Sequence, residues 1–459
     1  MRGVYAVAAA AFLGRLALFA GLELYADEAY YWTWSLRPAF GYFDHPPMVA
    51  YLAWLGSLLP GEVGLRVPFA LCGALVVIFA AYTARAISDR PRAPLAAALL
   101  AATSPMLTLG GALALPDAPL EAAFAAATWL VLAARGRAWL LVGLAGGLAL
   151  LSKYSAGLLA LSVLLAALFD STLRAELRTR WPWLGALVAA LLFAPCLAWN
   201  AAHDFVSIRF QFGHAVAGRS AGATAAFVGG VVVGVGPLVL AAAAAFLARA
   251  RTAPVRRLVA VSALPLAVTG AVALGSHVHA NWPALVYPGL CAAAGAFAAA
   301  RGPRTARIVV GASVALGVAL AVVYAVELRV PRLLTPSASP IERFHGWRDA
   351  VAEVRQVVGE PTPFMAASNY QVAAPLAYYG HLRRFGPTFV RRSQFDIWND
   401  APAPGERVVM VGLRPPRPGA PEAILARPAA PPAKVESFFA GVLIRTLWIT
   451  MPRGAPGER

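Results

Sequence analysis

The chain has 459 residues, 59% of them hydrophobic and only 13% charged, with a mean hydropathy of +0.65, which excludes an ordinary soluble globular protein and indicates an integral membrane protein. The net charge of +17 does not indicate nucleic acid, because the arginines fall in short clusters between apolar runs and form no continuous basic face. No nucleic-acid partner is therefore expected, and the surrounding partners are membrane lipids.

A hydrocarbon core about 30 Å thick needs about 20 apolar residues at 1.5 Å each. Runs of that character lie at about 3–22, 63–86, 94–112, 118–134, 138–151, 155–170, 182–200, 223–248, 257–275, 282–300 and 308–326. They predict about eleven transmembrane helices. The first is read as a retained helix and not a cleaved signal peptide, because polar sequence of functional character begins at Glu23. The runs 138–151 and 155–170 are short and broken by Ser152, Lys153 and Tyr154, so one kinked helix or a re-entrant pair stands as an alternative. Counted from an inside Arg2, the clusters Arg85/Arg90/Arg92, Arg135/Arg137, Arg174/Arg178/Arg180, Arg249/Arg251/Arg256/Arg257 and Arg301/Arg304/Arg307 all fall on one side, as the positive-inside rule requires. The opposite loops hold Asp27, Glu28, Asp44, Glu62, Asp117, Lys153, His203, Asp204, His214, His277 and His279. A multi-pass protein of the cell inner (plasma) membrane is expected, with its chemistry on the extracytoplasmic side.

After Glu327 charges and prolines rise and no membrane-length run remains. This divides a transmembrane domain, 1–326, from a small extracytoplasmic α/β domain, 327–459. Within the latter, "PFMAASNY", "RVVMVGL" and "GVLIRTLWIT" read as strands, "GWRDAVAEVRQVV" and "QVAAPLAYYG" as helices, and the Pro-rich 414–433 segment as an irregular loop. No glycine-rich phosphate loop follows a strand. Cys72, Cys196 and Cys291 show neither metal-ligand spacing nor a disulfide framework.

The loop 23–62 carries the densest set of candidate groups. Asp27 directly follows the first helix, and a carboxylate at the membrane edge can serve as general base, with burial raising its pKa; a helix-end or salt-bridge role is the alternative. Glu28 is its neighbour in the acidic pair. "AYYWTWSL" is helical or interfacial in character, and the prolines after His45 in "FDHPP" fix the backbone. Asp117, in "LALPDAPLEAA", caps the fourth helix or serves a site. His45 and Lys153 are suited to a phosphate, and Arg209 to a phosphate or sugar. Asp44, Asp117 and His214 are candidates for substrate or metal contact. The segment 199–219 also reads as an amphipathic interfacial helix with solvated charges. His277 and His279, two residues apart, face away from each other on a helix, so a metal pair there requires a loop or extended backbone.

"ADEAYYWTWS…GYFDHPPMVAYL", "LPDAPLEAAF", "LLSKYSAGLL", "WNAAHDFVSIRFQFGH" and "NWPALVYPG" occur in that order. Over residues 20–300 the chain resembles bacterial relatives of the dolichyl-phosphate-mannose protein mannosyltransferases, membrane glycosyltransferases of the GT-C superfamily akin to the lipid A aminoarabinose and galacturonic acid transferases. The resemblance implies an inverting transfer from a polyprenyl-phosphate sugar donor to a lipid, glycan or protein acceptor at the extracytoplasmic face. It implies Asp27 as the base, with Glu28 beside it, Asp117 as the second acidic site and Lys153 as the phosphate contact. His45 stands where the aminoarabinose transferases place a lysine. A divalent cation assists some relatives and is a candidate cofactor. A membrane transporter of a solute or lipid-linked precursor is the alternative from another class, although transporters place ionisable groups near the midplane and show repeated halves. An O-antigen-type polymerase or ligase is a third.

Overall fold

The computed structural model describes residues 1–216, 222–249, 251–276, 278–330, 340–415 and 431–451. The chain forms two compact units. One comprises Met1–Phe19, His45–Leu52 and Arg66–Val322; the other comprises Ala20–Asp44, Ala53–Leu65 and Val323–Arg459. One boundary between the units, at Asp44/His45, thus falls inside the "FDHPP" motif, and the first loop's Ala20–Asp44 groups with the segment after Val323 rather than with the remainder of 1–326.

Each of the eleven apolar runs contains helix. Six helices among the described residues are long and apolar enough to cross a membrane: Arg2–Phe19, Gly61–Ile87, Arg180–Ala202, Ala253–Ala273, Trp282–Ala300 and Pro303–Glu327. A bent pair, Ala223–Val235 with Pro237–Leu247, would make a seventh. The protein is thus a multi-pass, mainly helical membrane protein. The run 223–248, expected as one helix, turns by 90°, because Gly236 takes φ 100° and Pro237 has no N–H to continue the ladder. Pro105 breaks the 94–112 run in the same way, into Ala93–Thr103 and Pro105–Gly110. Ala138–Leu150 and Leu158–Phe169 are separate helices joined through Lys153 and a tight turn at Tyr154–Gly157.

Small residues set how closely these helices approach. A Cβ on Gly143 would lie 1.9 Å from the Gly185 carbonyl oxygen, and one on Gly147 only 2.7 Å from Leu192. The Gly143/Gly147 pair, four residues apart on Ala138–Leu150, is therefore the seam along which Arg180–Ala202 packs, backbone against backbone. On the loop side of the same bundle the buried Arg257 guanidinium donates to the Asp170 carboxylate at 2.7 Å and to the carbonyls of Val131 and Leu132. Asp170 in turn caps Ser171–Leu177, so one ion pair ties three chain segments.

The second unit is built on a four-stranded sheet: β1 (Phe364–Ala367), β2 (Val408–Gly412), β3 (Ala433–Phe439) and β4 (Val442–Thr450), in the order β1-β2-β4-β3. β1 runs parallel to β2, while β4 is antiparallel to both β2 and β3. Trp347–Val358 buries Trp347, Ala350, Val351, Val354 and Val358, the spacing of one helical face. β3 begins at the end of the segment read as a Pro-rich loop, most of which (416–430) lies outside the described residues. The short helix Gln394–Trp398 had no periodic signal. From the first loop, Ala26–Ser35 is helical, and Met48–Gly56 starts directly after the two prolines, whose fixed φ suits a helix start.

Candidate active site

In the sheet-bearing unit, Ala26–Ser35 presents its carboxylates to segments from the far end of the chain. Asp27 lies in the first turn, where the helix dipole favours an anion. Its Oδ1 accepts a hydrogen bond of 3.0 Å from the Tyr370 hydroxyl, and the Tyr25 hydroxyl bonds the same carboxylate. Each tyrosine ring carries an arginine: Arg391 lies 4.7 Å from the Tyr370 centroid and Arg343 5.8 Å from that of Tyr25. Burial pushes the Asp27 carboxyl above the ordinary aspartate range, while the two hydroxyls and the two arginine charges pull it back. Glu28 is fully buried and accepts the backbone N–H of Tyr25 at 3.0 Å, closing the helix start as a capping acid does.

Asp44 belongs to the same cluster. Tyr30 donates its hydroxyl to Asp44 at 2.7 Å, and Arg391 forms an ion pair with the other carboxylate oxygen. The Gln394 N–H reaches the Tyr30 hydroxyl at 2.7 Å, and the Gln394 side chain accepts the Phe43 N–H at 2.8 Å. The Tyr30 and Tyr370 rings pack at a tilt of 43° with centroids 4.5 Å apart. Burial pushes the Asp44 carboxyl up to about 6 against the opposing charge of Arg391. Two carboxylates, three tyrosines and Arg391 thus form one continuous polar network lined by aromatic faces.

The helical unit gathers a second set. Asp117 opens Asp117–Ala133, and its carboxylate makes no cap. It accepts instead from Lys153 Nζ at 2.7 Å and from Asn281 Nδ2 at 2.9 Å. Three separated motifs, "LPDAP", "SKYS" and "NWP", therefore meet at one carboxylate. Both members of the ion pair are largely buried, with side chains 15% and 6% exposed, so the mutual neutralisation matters more than it would at a surface. Beside Lys153, the Tyr154 hydroxyl bonds Ser207 at 2.7 Å and accepts from Asn200 at 3.2 Å, which joins the "WNAAHDFVSIRFQFGH" motif to the set. His45 Nδ1 is 3.4 Å from Gln211 Nε2.

Arg209 is exposed on Val206–Val216. His214 lies on that helix, but its side chain falls outside the described residues, as does His277. Among the described residues no group of three or more His, Cys, Asp or Glu side chains is placed to hold a metal ion, so a divalent cation finds no gathered protein donor set there.

The sequence pointed to Asp27, Asp44, Asp117 and Lys153 but gave no sign of Tyr370, Arg391, Gln394 or Asn281 as their partners. Asn281 sat within a quoted motif. Tyr370 and Arg391 had no local signal, since a tyrosine beginning a short helix and an arginine in a loop are ordinary.

The fold is shared with solved structures that match the chain over nearly its whole length. Residues 44–199, about a third of the chain, match the family described as dolichyl-phosphate-mannose-protein mannosyltransferase. Among solved structures, ArnT from Cupriavidus metallidurans superposes in its apo state with a TM-score of 0.68 at 17% identity, covering 96% of this chain and 97% of that one. The same protein bound to undecaprenyl phosphate gives 0.71 at 15% identity, with 98% of each chain covered. The archaeal oligosaccharyltransferase AglB from Archaeoglobus fulgidus, in complex with an inhibitory peptide and a dolichol-phosphate, gives 0.50 at 16% identity, covering 82% of this chain and 63% of that one. Among curated protein sequences none matches the chain.

Proposed function

We propose that the protein is an inverting glycosyltransferase that moves a sugar from a polyprenyl-phosphate donor to a lipid, glycan or protein acceptor at the outer face of the inner membrane. The observation that carries this reading is the Asp27 cradle: a partly buried carboxylate at a helix start, oriented by two tyrosine hydroxyls and flanked by aromatic rings suited to a sugar face. The undecaprenyl phosphate bound to ArnT and the dolichol-phosphate bound to AglB support a polyprenyl-phosphate donor.

In this mechanism the acceptor oxygen attacks the anomeric carbon on the face opposite the phosphate, and its proton passes to Asp27. The bond between that carbon and the phosphate oxygen breaks, and its electron pair leaves on the polyprenyl phosphate. Lys153, poised on Asp117, is the group assigned to the departing phosphate; His45 and Arg209 are further cationic or donor groups for it. In this reading the first loop and the segment 327–459 lie on the extracytoplasmic side.

The test is complementation of a deletion strain, read by mass spectrometry of envelope lipids, glycans and proteins. The parent gene restores the missing sugar, and Asp27→Asn, which keeps the shape of the side chain but cannot accept the proton, lowers transfer by about 10²- to 10⁴-fold. Full restoration by Asp27→Asn removes Asp27 from the base role.

A further inference from the structure

The carboxylate assigned as base is held from two directions of very different origin. Tyr25 precedes Asp27 by two residues in the same loop. Tyr370 follows it by 343 residues and belongs to the sheet-bearing unit's C-terminal part. The Tyr370 ring is itself held by two neighbours: Arg391 lies over it at 4.7 Å and the tilted Tyr30 ring packs against it at 4.5 Å. Its backbone is fixed as well, because it is the first residue of Tyr370–Tyr379, where Asn369 caps the helix by accepting the Val372 N–H. At the other end of that helix the Tyr379 hydroxyl accepts the Leu24 N–H at 2.8 Å, so the helix grips the first loop beside Asp27 twice.

We propose that Tyr370 is the positioning residue of the base, its hydroxyl fixing both the orientation and the charge state of the Asp27 carboxylate. This rests on the reading of Asp27 as the base. A rotating carboxylate presents its proton-accepting lone pairs to the acceptor only part of the time. With one oxygen pinned by Tyr370, the second is directed, and a donor to the ionised form favours that form. The other groups facing Asp27 are Tyr25, Arg343 and Arg391, with Asp44 acting against them at longer range. Arg391 is already committed to Asp44 by an ion pair, which leaves the Tyr370 hydroxyl as the direct, replaceable contact from the C-terminal part of the unit.

The experiment uses the full-length protein in lipid nanodiscs and follows the protonated-carboxyl stretch by infrared spectroscopy across pH, the Asp27 band being the one lost in Asp27→Asn. Tyr370→Phe keeps the ring that Arg391 and Tyr30 pack against and removes only the donor. The midpoint of the Asp27 band then rises by about one pH unit, the scale of one lost hydrogen bond to a charged group. Tyr378→Phe, on the same helix but packed on Trp32, leaves the midpoint where it is in the parent. An unmoved midpoint in Tyr370→Phe overturns the assignment, and so does an equal rise in Tyr378→Phe, which would mark a general loosening. Sugar transfer retained by Asp27→Asn would end the base reading by a separate measurement and would leave the titration result standing.

Discussion

At the scale of single residues, the two acidic clusters differ in how their charge is balanced. Asp117 has a cation and an amide in direct contact, so its ionised form is compensated. Asp44 also has a cation, yet burial outweighs Arg391 and its carboxyl titrates near 6. In an unfolded chain an aspartate titrates near about 3.9. Between those values the unfolded chain is ionised while the folded protein keeps its proton, so the folded state is favoured at the acidic end. Stability therefore falls as pH rises from about 4 to about 6 and stays lower above that, by an amount on the order of 3 kcal/mol from this group. Asp44→Asn flattens part of that slope, which melting followed by tryptophan fluorescence in detergent will show. An unchanged slope assigns the titration to another carboxyl.

At the scale of elements, the Gly143/Gly147 seam makes a specific demand. A glycine inside an exposed helix costs about 1 kcal/mol relative to alanine, so Gly→Ala stabilises wherever there is room. Gly146 has room, since its Cβ position is 3.6 Å from Leu159, whereas that of Gly143 is 1.9 Å from backbone. Gly146→Ala is therefore expected to hold or raise the melting temperature and Gly143→Ala to lower it, with thermal unfolding of purified protein as the check. Elements were also where the sequence was most legible. Each apolar run became helix because twenty apolar residues have few other ways to satisfy their backbone in lipid. The three named strands and both amphipathic helices of the C-terminal segment were visible from period alone. What period cannot carry is a break made by a single Gly-Pro step, as at Gly236, or a short helix such as Gln394–Trp398 with too few residues to show a pattern. Nor can it pair Asp27 with Tyr370, because partners so far apart are matched by tertiary packing alone.

At the scale of the whole molecule, the right-angled pair Ala223–Val235 and Pro237–Leu247 decides topology. On the eleven-span expectation, crossing as one span puts the arginine cluster at 249–257 on the cytoplasmic side and the segment after Glu327 on the opposite side. If it turns back, that cluster is external. Alkaline phosphatase fused within 249–257 is expected to be inactive, and the same enzyme fused just after Glu327 active. Phosphatase activity at the first position together with inactivity of a fusion at 174–180 would identify a re-entrant pair at Ala223–Leu247.

The link between Asp27 and Tyr370 also has a meaning in time. A ribosome adding about 5 to 20 residues per second takes roughly 20 to 70 s to travel the 343 residues between them. Tyr25 is made together with Asp27, whereas the Tyr370 hydroxyl is made only after the apolar runs that end at 326. Until Tyr370 is made, helices that have already been synthesised lack the contact that completes the Asp27 cradle, so the cradle closes only after the segment beyond the apolar helices has been added.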